Sequence, residues 1–201
     1  MYNIDFSRAE VSGNGLACLA KFINHLFKFH KNFKKIDFKF YNTFFKKEFL
    51  LKYEDNSYLV LFDSSKFELK KNILPNCYYV NVGNPHVICF FSNFKLKKNF
   101  SITEFLESLY KKTFNTLGFQ ANVHLVFNRK EKFYIYSYER GVGFTKSCGS
   151  GSIATFYLLN NLNIINNDLT LKSPGGNIKL CKYNNFYCLI SYPKVINKVC
   201  L

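Results

Sequence analysis

Apolar residues along this chain fall in two rhythms, every second position and every third to fourth, and the switch between them marks out the elements. Ile36, Phe38 and Phe40 alternate with Asp37 and Lys39, as in a strand with one covered face. Residues 48–53 and 57–62 read as a hairpin around Glu54-Asp55-Asn56, and 78–82 and 86–91 as strands flanking Gly83-Asn84-Pro85-His86. Residues 123–127 form a further strand, and in the next Phe133, Ile135 and Ser137 alternate with Tyr134, Tyr136 and Tyr138. Helical spacing appears three times. Leu16, Leu19, Ala20, Ile23, Phe27 and His30 predict one apolar face, with His30 a packed or surface residue rather than a ligand. Ile102, Phe105, Leu106, Leu109 and Leu117 predict another, opened by the capping box Ser101-Ile102-Thr103-Glu104. Ile153, Phe156, Tyr157 and Asn160 mark the third. Beyond it Ser173-Pro174-Gly175-Gly176 turns a hairpin, and short strands finish the chain.

Two of these helices open on the same layout. Cys148-Gly149-Ser150-Gly151 and Ser12-Gly13-Asn14-Gly15 each place a small polar residue before Gly-x-Gly and a helix. Such self-similarity predicts two related lobes that present helix N-termini to a shared cleft. Free backbone N–H groups and the positive end of a helix dipole attract anions. In that setting a thiol pKa falls to roughly 3.5–7.5, so a reactive thiolate at Cys148 is expected near neutral pH. The glycines let a ligand carboxylate approach the backbone. Taken alone, a glycine turn beside a buried free cysteine is an equal alternative.

Composition narrows the class. Hydrophobic residues make up 48% of 201, with 24 Phe and 14 Tyr, which excludes a disordered chain. The formal charge of +15 raises nucleic acid as a partner. Against it, Arg8, Arg129 and Arg140 are the only arginines, and the lysines are scattered as pairs such as Lys34-Lys35 and Lys111-Lys112, without the clustered arginine forks of a nucleic-acid surface. Seven cysteines with no Cys-x-x-Cys pair fit neither a disulfide framework nor a zinc site. No leader pattern opens the chain, and no run approaches the roughly 20 apolar residues that cross a bilayer. The reading is a cytoplasmic protein with neither nucleic acid nor membrane as partner.

Four motifs in order, Ser12-Gly13-Asn14-Gly15, Gly83-Asn84-Pro85-His86, Glu139-Arg140-Gly141 and Cys148-Gly149-Ser150-Gly151, resemble the diaminopimelate epimerase family. The resemblance runs from about Asn3 to Gly176. It implies an α+β fold of two pseudo-symmetric lobes, each a mostly antiparallel sheet wrapped on a central helix. The first lobe, 1–76, is expected to be truncated at its N-terminus and rejoined by 188–201; the second, 77–187, carries the Cys148 turn. It also implies interconversion of LL- and meso-diaminopimelate without cofactor or metal, by two cysteines on opposite faces of an α-carbon. Cys148 matches the second cysteine, whereas Ser12 stands in place of the first. Asn3, Gly13, Asn14, Asn84, His86, Asn122, Glu139, Arg140, Gly149 and Ser150 match the family's substrate contacts. Diaminopimelate is then the small-molecule partner, and a homodimer is left open. Because a serine hydroxyl is far less acidic than a thiol, the alternative is a catalytically impaired relic that keeps the fold as a binding or scaffold protein.

Overall fold

The computed structural model describes residues 12–27, 33–42, 47–92 and 99–194. Helix α1 (Gly13–Phe27) comes first, followed by β1 (Lys35–Asn42), β2 (Lys47–Glu54), β3 (Ser57–Asp63), β4 (Glu68–Leu74), β5 (Cys77–Asn81) and β6 (Pro85–Phe91). Helix α2 (Ile102–Leu117) leads to β7 (Asn122–Arg129), β8 (Lys132–Glu139) and the short β9 (Gly143–Thr145). Helix α3 (Gly149–Asn161) precedes β10 (Asp168–Ser173), β11 (Gly176–Tyr183) and β12 (Phe186–Ser191).

The strands join in one hydrogen-bonded path, β1-β2-β3-β12-β11-β10-β8-β7-β6-β5-β4, with β9 on β8. Pairing is antiparallel except for β6 with β7 and β10 with β8. Those two parallel pairs are the ones joined through helices, α2 and α3, since a parallel return needs a crossover longer than a hairpin. The architecture is therefore α+β.

Strand alternation divides the core. On one face of β5 to β8, Tyr79, Val87, Val123, Leu125 and Phe127 pack with Leu106 and Leu109 of α2. On the other, Val80, Ile88, Val126 and Ile135 join Ile153, Phe156, Leu158 and Leu159 of α3. A helix sunk in a sheet must be apolar all round, and nearly every side chain of α3 is buried. In α1 the buried positions are Gly13, Leu16, Ala17, Ala20 and Asn24, with Asn24 donating to the Tyr58 hydroxyl at 2.9 Å. This corrects the expected face: Leu19 and Phe27 are exposed, because the two alanines and Asn24 let α1 approach the sheet. His30 lies outside the described residues.

Two features were not anticipated. The edge strand β4 carries Lys70, Lys71 and exposed polar positions, so its sequence lacks the alternation of a half-buried strand. Cys77 and Cys89, cross-strand partners on β5 and β6, form a disulfide, against the expectation of none. Adjacent hairpin strands bring together cysteines that are 12 positions apart.

Candidate active site

Cys148 and Ser12 occupy equivalent places. Cys148 is the N-cap of α3, with extended backbone (φ −125°, ψ 111°), and its Sγ accepts the Gly151 N–H at 3.4 Å. Ser12 Oγ accepts the Gly15 N–H at 3.0 Å while its carbonyl accepts from Leu16 at 2.9 Å, the same capping pattern at α1. The two helix N-termini converge on one side chain. A Cβ built on Gly13 or on Gly149 would each stand 2.9 Å from Leu189 Cδ2 of β12, and the one on Gly149 would also meet Asn14 Oδ1 at 3.5 Å. A cavity of about 180 Å³ opens there, lined by Asn14, Ser147, Gly149, Leu189 and Tyr192 among others. The turn Pro174-Gly175 is tied to the segment before Cys148, the Gly175 N–H donating to the Lys146 carbonyl at 2.8 Å.

The remaining groups come from the carboxyl end of β8 and from β6 and β7. Glu139 ends β8, and its Oε1 accepts the Thr145 hydroxyl at 2.6 Å. Gly141 and Gly143, with φ of 73° and 91°, turn the chain back so that β9 can hold that carboxylate. The Asn122 side-chain oxygen accepts the Arg140 N–H at 3.0 Å, fixing the corner where Arg140 leaves the strand. Asn84 donates to Ser150 Oγ at 3.4 Å, and Ser150 Oγ lies 3.8 Å from the Cys148 sulfur. Thus Cys148, Gly149, Ser150, Asn84, His86 and Glu139 form one cluster, with Ser12, Gly13 and Asn14 at the facing helix. Asn122 holds the backbone of Arg140 behind it. Asn3 lies outside the described residues.

The expectation of a ready thiolate is corrected. Cys148 is buried, and burial pushes its thiol well up, with the Glu139 carboxylate adding to the rise; the Gly151 N–H and the Ser150 hydroxyl oppose it only in part. The site thus holds Cys148 toward its thiol form, with the Glu139 side chain beside it.

His86 sits under the cluster with two residues missed in the sequence, His124 and Ser137. His86 Nδ1 is 2.9 Å from His124 Nε2, and His124 Nδ1 is 2.9 Å from Ser137 Oγ. Burial holds His86 well below the usual histidine range, with the neighbouring His124 and Arg140 contributing, and pushes His124 down to about 3. Gly151 is required here, since a Cβ would stand 2.2 Å from His124 Cε1. The sequence did carry a signal: Asn122, His124 and Ser137 are polar interruptions of apolar strand positions on one face. His86, His124 and Cys148 bring donor atoms within 4.8 Å of one another. As a metal centre the set falls short, because the two rings bond each other and Ser137, leaving two ligands where a zinc site uses at least three.

Known proteins resemble this chain in fold and in sequence. The solved structure of a "predicted epimerase" from Pseudomonas aeruginosa superposes with a TM-score of 0.66 over 92% of this chain and 72% of that one, at 10% identity. The two share an α+β fold. The sequence profile described as diaminopimelate epimerase matches residues 78–188. Diaminopimelate epimerases of Methanocaldococcus jannaschii and Prochlorococcus marinus strain NATL1A are 29% and 30% identical, each over 90% of this chain and over 70% and 68% of their own lengths. That of Methanococcus aeolicus is 26% identical over the same share of this chain. The chain belongs to the diaminopimelate epimerase family.

Proposed function

We propose that this protein interconverts LL- and meso-diaminopimelate, a cytoplasmic isomerisation at one α-carbon without a cofactor. The observation that carries the reading is the pairing of Cys148 and Ser12 as N-caps of two helices that converge on Leu189. Two helix N-termini supply N–H groups and positive dipole ends to the α-carboxylate, whose charge grows as the α-proton leaves. Cys148 takes that proton once its own has passed to Glu139, which Thr145 holds in place. Ser12, on the opposite side of the carbon, gives its hydroxyl proton to the carbanion and regains one from solvent, to which Glu139 releases the proton it took. Asn14, Asn84, Asn122 and Arg140 serve the rest of the substrate in this reading, as does Asn3 from outside the described residues, with Arg140 suited to a carboxylate. The pseudo-symmetric reading, lobes 1–76 and 77–187 with the tail returning, draws support from β12, which pairs with β3 on one side and β11 on the other.

Incubating the protein with LL-diaminopimelate and resolving the stereoisomers by chiral chromatography tests the reading. Appearance of the meso isomer, abolished by Cys148→Ala, is expected. No conversion by the unaltered protein at high enzyme concentration overturns it and favours the second reading, a relic with a binding role, which the hydroxyl at Ser12 and the burial of Cys148 support.

A further inference from the structure

Two free cysteines that the proton transfers do not use face each other across adjacent strands. Cys181 of β11 and Cys188 of β12 are direct cross-strand partners. Opposite residues of an antiparallel ladder share a face, with Cα atoms about 4.5 or 5.5 Å apart, and both spacings lie inside the roughly 4.4–6.8 Å that a disulfide spans. Cys77 and Cys89 hold the same relation on β5 and β6, and there the link is closed. At Cys181 and Cys188 it is open, and the two thiols hydrogen-bond each other. That bond is the largest influence on both: it lowers the pKa of Cys181 and raises that of Cys188, whose burial adds to the rise. Burial, and then Asp168 opposite on β10, act against the ionisation of Cys181, while Lys52 of β2, its Nζ 5.8 Å from the Tyr183 ring, favours that of Cys188. Cys181 is half-buried and Cys188 only 1% exposed. The ladder thus presents one reachable thiol, eased toward its thiolate, with a second enclosed beside it.

An accessible thiolate beside a resolving thiol is the arrangement that thiol–disulfide exchange uses. The Cys181 thiolate, its proton lost to solvent, attacks one sulfur of a low-molecular-weight disulfide, forming a mixed disulfide and releasing one small thiolate, which takes the proton of Cys188. The Cys188 thiolate then attacks the Cys181 sulfur, and the second small thiolate leaves and is protonated from solvent. Two protein thiols are oxidised to one disulfide while one small disulfide is reduced to two thiols. Closure also moves the backbone. Opposite Cβ atoms of a ladder stand about 4.5–5.5 Å apart, whereas a disulfide holds them near 3.8 Å, so the link draws β11 and β12 together by roughly 1 Å. Leu189 follows Cys188 and points to the other face of β12. There it fills the space against Gly13 and Gly149 so closely that a methyl group at either would collide with it. We infer that Cys181 and Cys188 are a redox-sensitive pair, closed by low-molecular-weight disulfides, whose closure displaces Leu189 against the N-termini of α1 and α3 and slows turnover. The pair itself stands apart from the reaction proposed above; only the slowing rests on it.

The test equilibrates the full chain with reduced and oxidised glutathione in varied ratio, blocks free thiols by alkylation and maps them by peptide mass spectrometry. As the oxidised share rises, a Cys181–Cys188 link should appear, and reduced glutathione should undo it. Cys188→Ser should stop at a mixed disulfide between Cys181 and glutathione, whereas Cys181→Ser should leave Cys188 unmodified. In NMR of labelled leucine methyls, the Leu189 resonances should move as the link forms. Turnover of diaminopimelate should fall by as much as about 10²-fold, the loss that a displacement of about 1 Å brings, and should recover on reduction. Cys181→Ser should turn over at the rate of the reduced protein and be unaffected by oxidised glutathione. No link in excess oxidised glutathione overturns the inference, as do Leu189 methyls that stay in place once the link forms, or a linked enzyme as fast as the reduced one. A loss of turnover that persists in Cys181→Ser overturns it too, since the sensitive thiol then lies elsewhere. A linked chain with shifted Leu189 methyls whose reduced form never epimerises supports the pair and removes only the reaction.

Discussion

Gly151 is where the site is tightest. Its absent side chain is the space filled by the His124 ring, and its N–H is the one that reaches the Cys148 sulfur. Gly151→Ala should cost about 1–3 kcal/mol, the range for overpacking a filled core, and should reduce turnover as α3 shifts from Cys148. Urea denaturation checks the first; unchanged stability would mean that the ring has room to move. The two histidines set an acid limit. Their folded pKa values lie below the unfolded value of about 6.5, so the unfolded state binds more protons and stability falls as pH drops below that value. At pH 5 the loss from His124 should be about 2 kcal/mol, with His86 acting in the same direction. Cys148 acts in the opposite sense: its raised pKa gives stability that is full below about 8.5 and declines above it. Denaturation midpoints measured from pH 5 to 10 should therefore trace a dome, with the alkaline side flattened in Cys148→Ser. A flat acid limb would contradict the burial of the histidines. At this scale Cys148 and its glycines were legible from local chemistry, whereas His124 and Ser137 were not. Their partnership depends on the register of β7 against β8, which no short-range pattern encodes.

Among the elements, those with a strong period were read correctly. Phe133 to Tyr138 alternate because β8 is covered by α3 on one face and α2 on the other. The capping box at Ser101 does open α2, where Ser101 Oγ accepts the Glu104 N–H at 3.3 Å, and Gly118 in the left-handed region (φ 74°) closes it. Ser101→Ala should destabilise the protein by about 1 kcal/mol while leaving epimerisation unaltered, since α2 lies across the sheet from Cys148. Denaturation and initial rates measured on one preparation decide it. Elements shaped by their surroundings were harder to read. The edge strand β4 takes its form from pairing with β5 rather than from an apolar face. The buried face of α1 follows the small residues that permit close packing. The Cys77–Cys89 link follows from hairpin pairing, to which cysteine spacing gives no clue.

For the molecule as a whole, a charge of +15 carried mostly by lysine should produce weak, salt-sensitive attraction to polyanions and no more. Binding to random duplex DNA should fall at a Kd of roughly 10⁻⁴–10⁻⁶ M at physiological salt, and nanomolar affinity in a mobility shift would contradict the dispersed surface. Among the described residues no helix is long and apolar enough to cross a membrane. The central claim is that two helix N-termini bring unequal groups, a thiol and a hydroxyl, to opposite faces of one carbon. Proton NMR in deuterium oxide, started from each diaminopimelate stereoisomer in turn, tests it most directly. For the isomer whose α-hydrogen faces Cys148, deuterium should enter faster than configuration inverts, because the deuterated thiol returns its label from the same face while Ser12 donates slowly from the other. The opposite isomer should exchange slowly, and Ser12→Cys should raise epimerisation by about tenfold or more, below the 10²–10⁴ typical of one placed acid or base. Equal exchange from both isomers, or exchange that survives Cys148→Ala, would contradict the account.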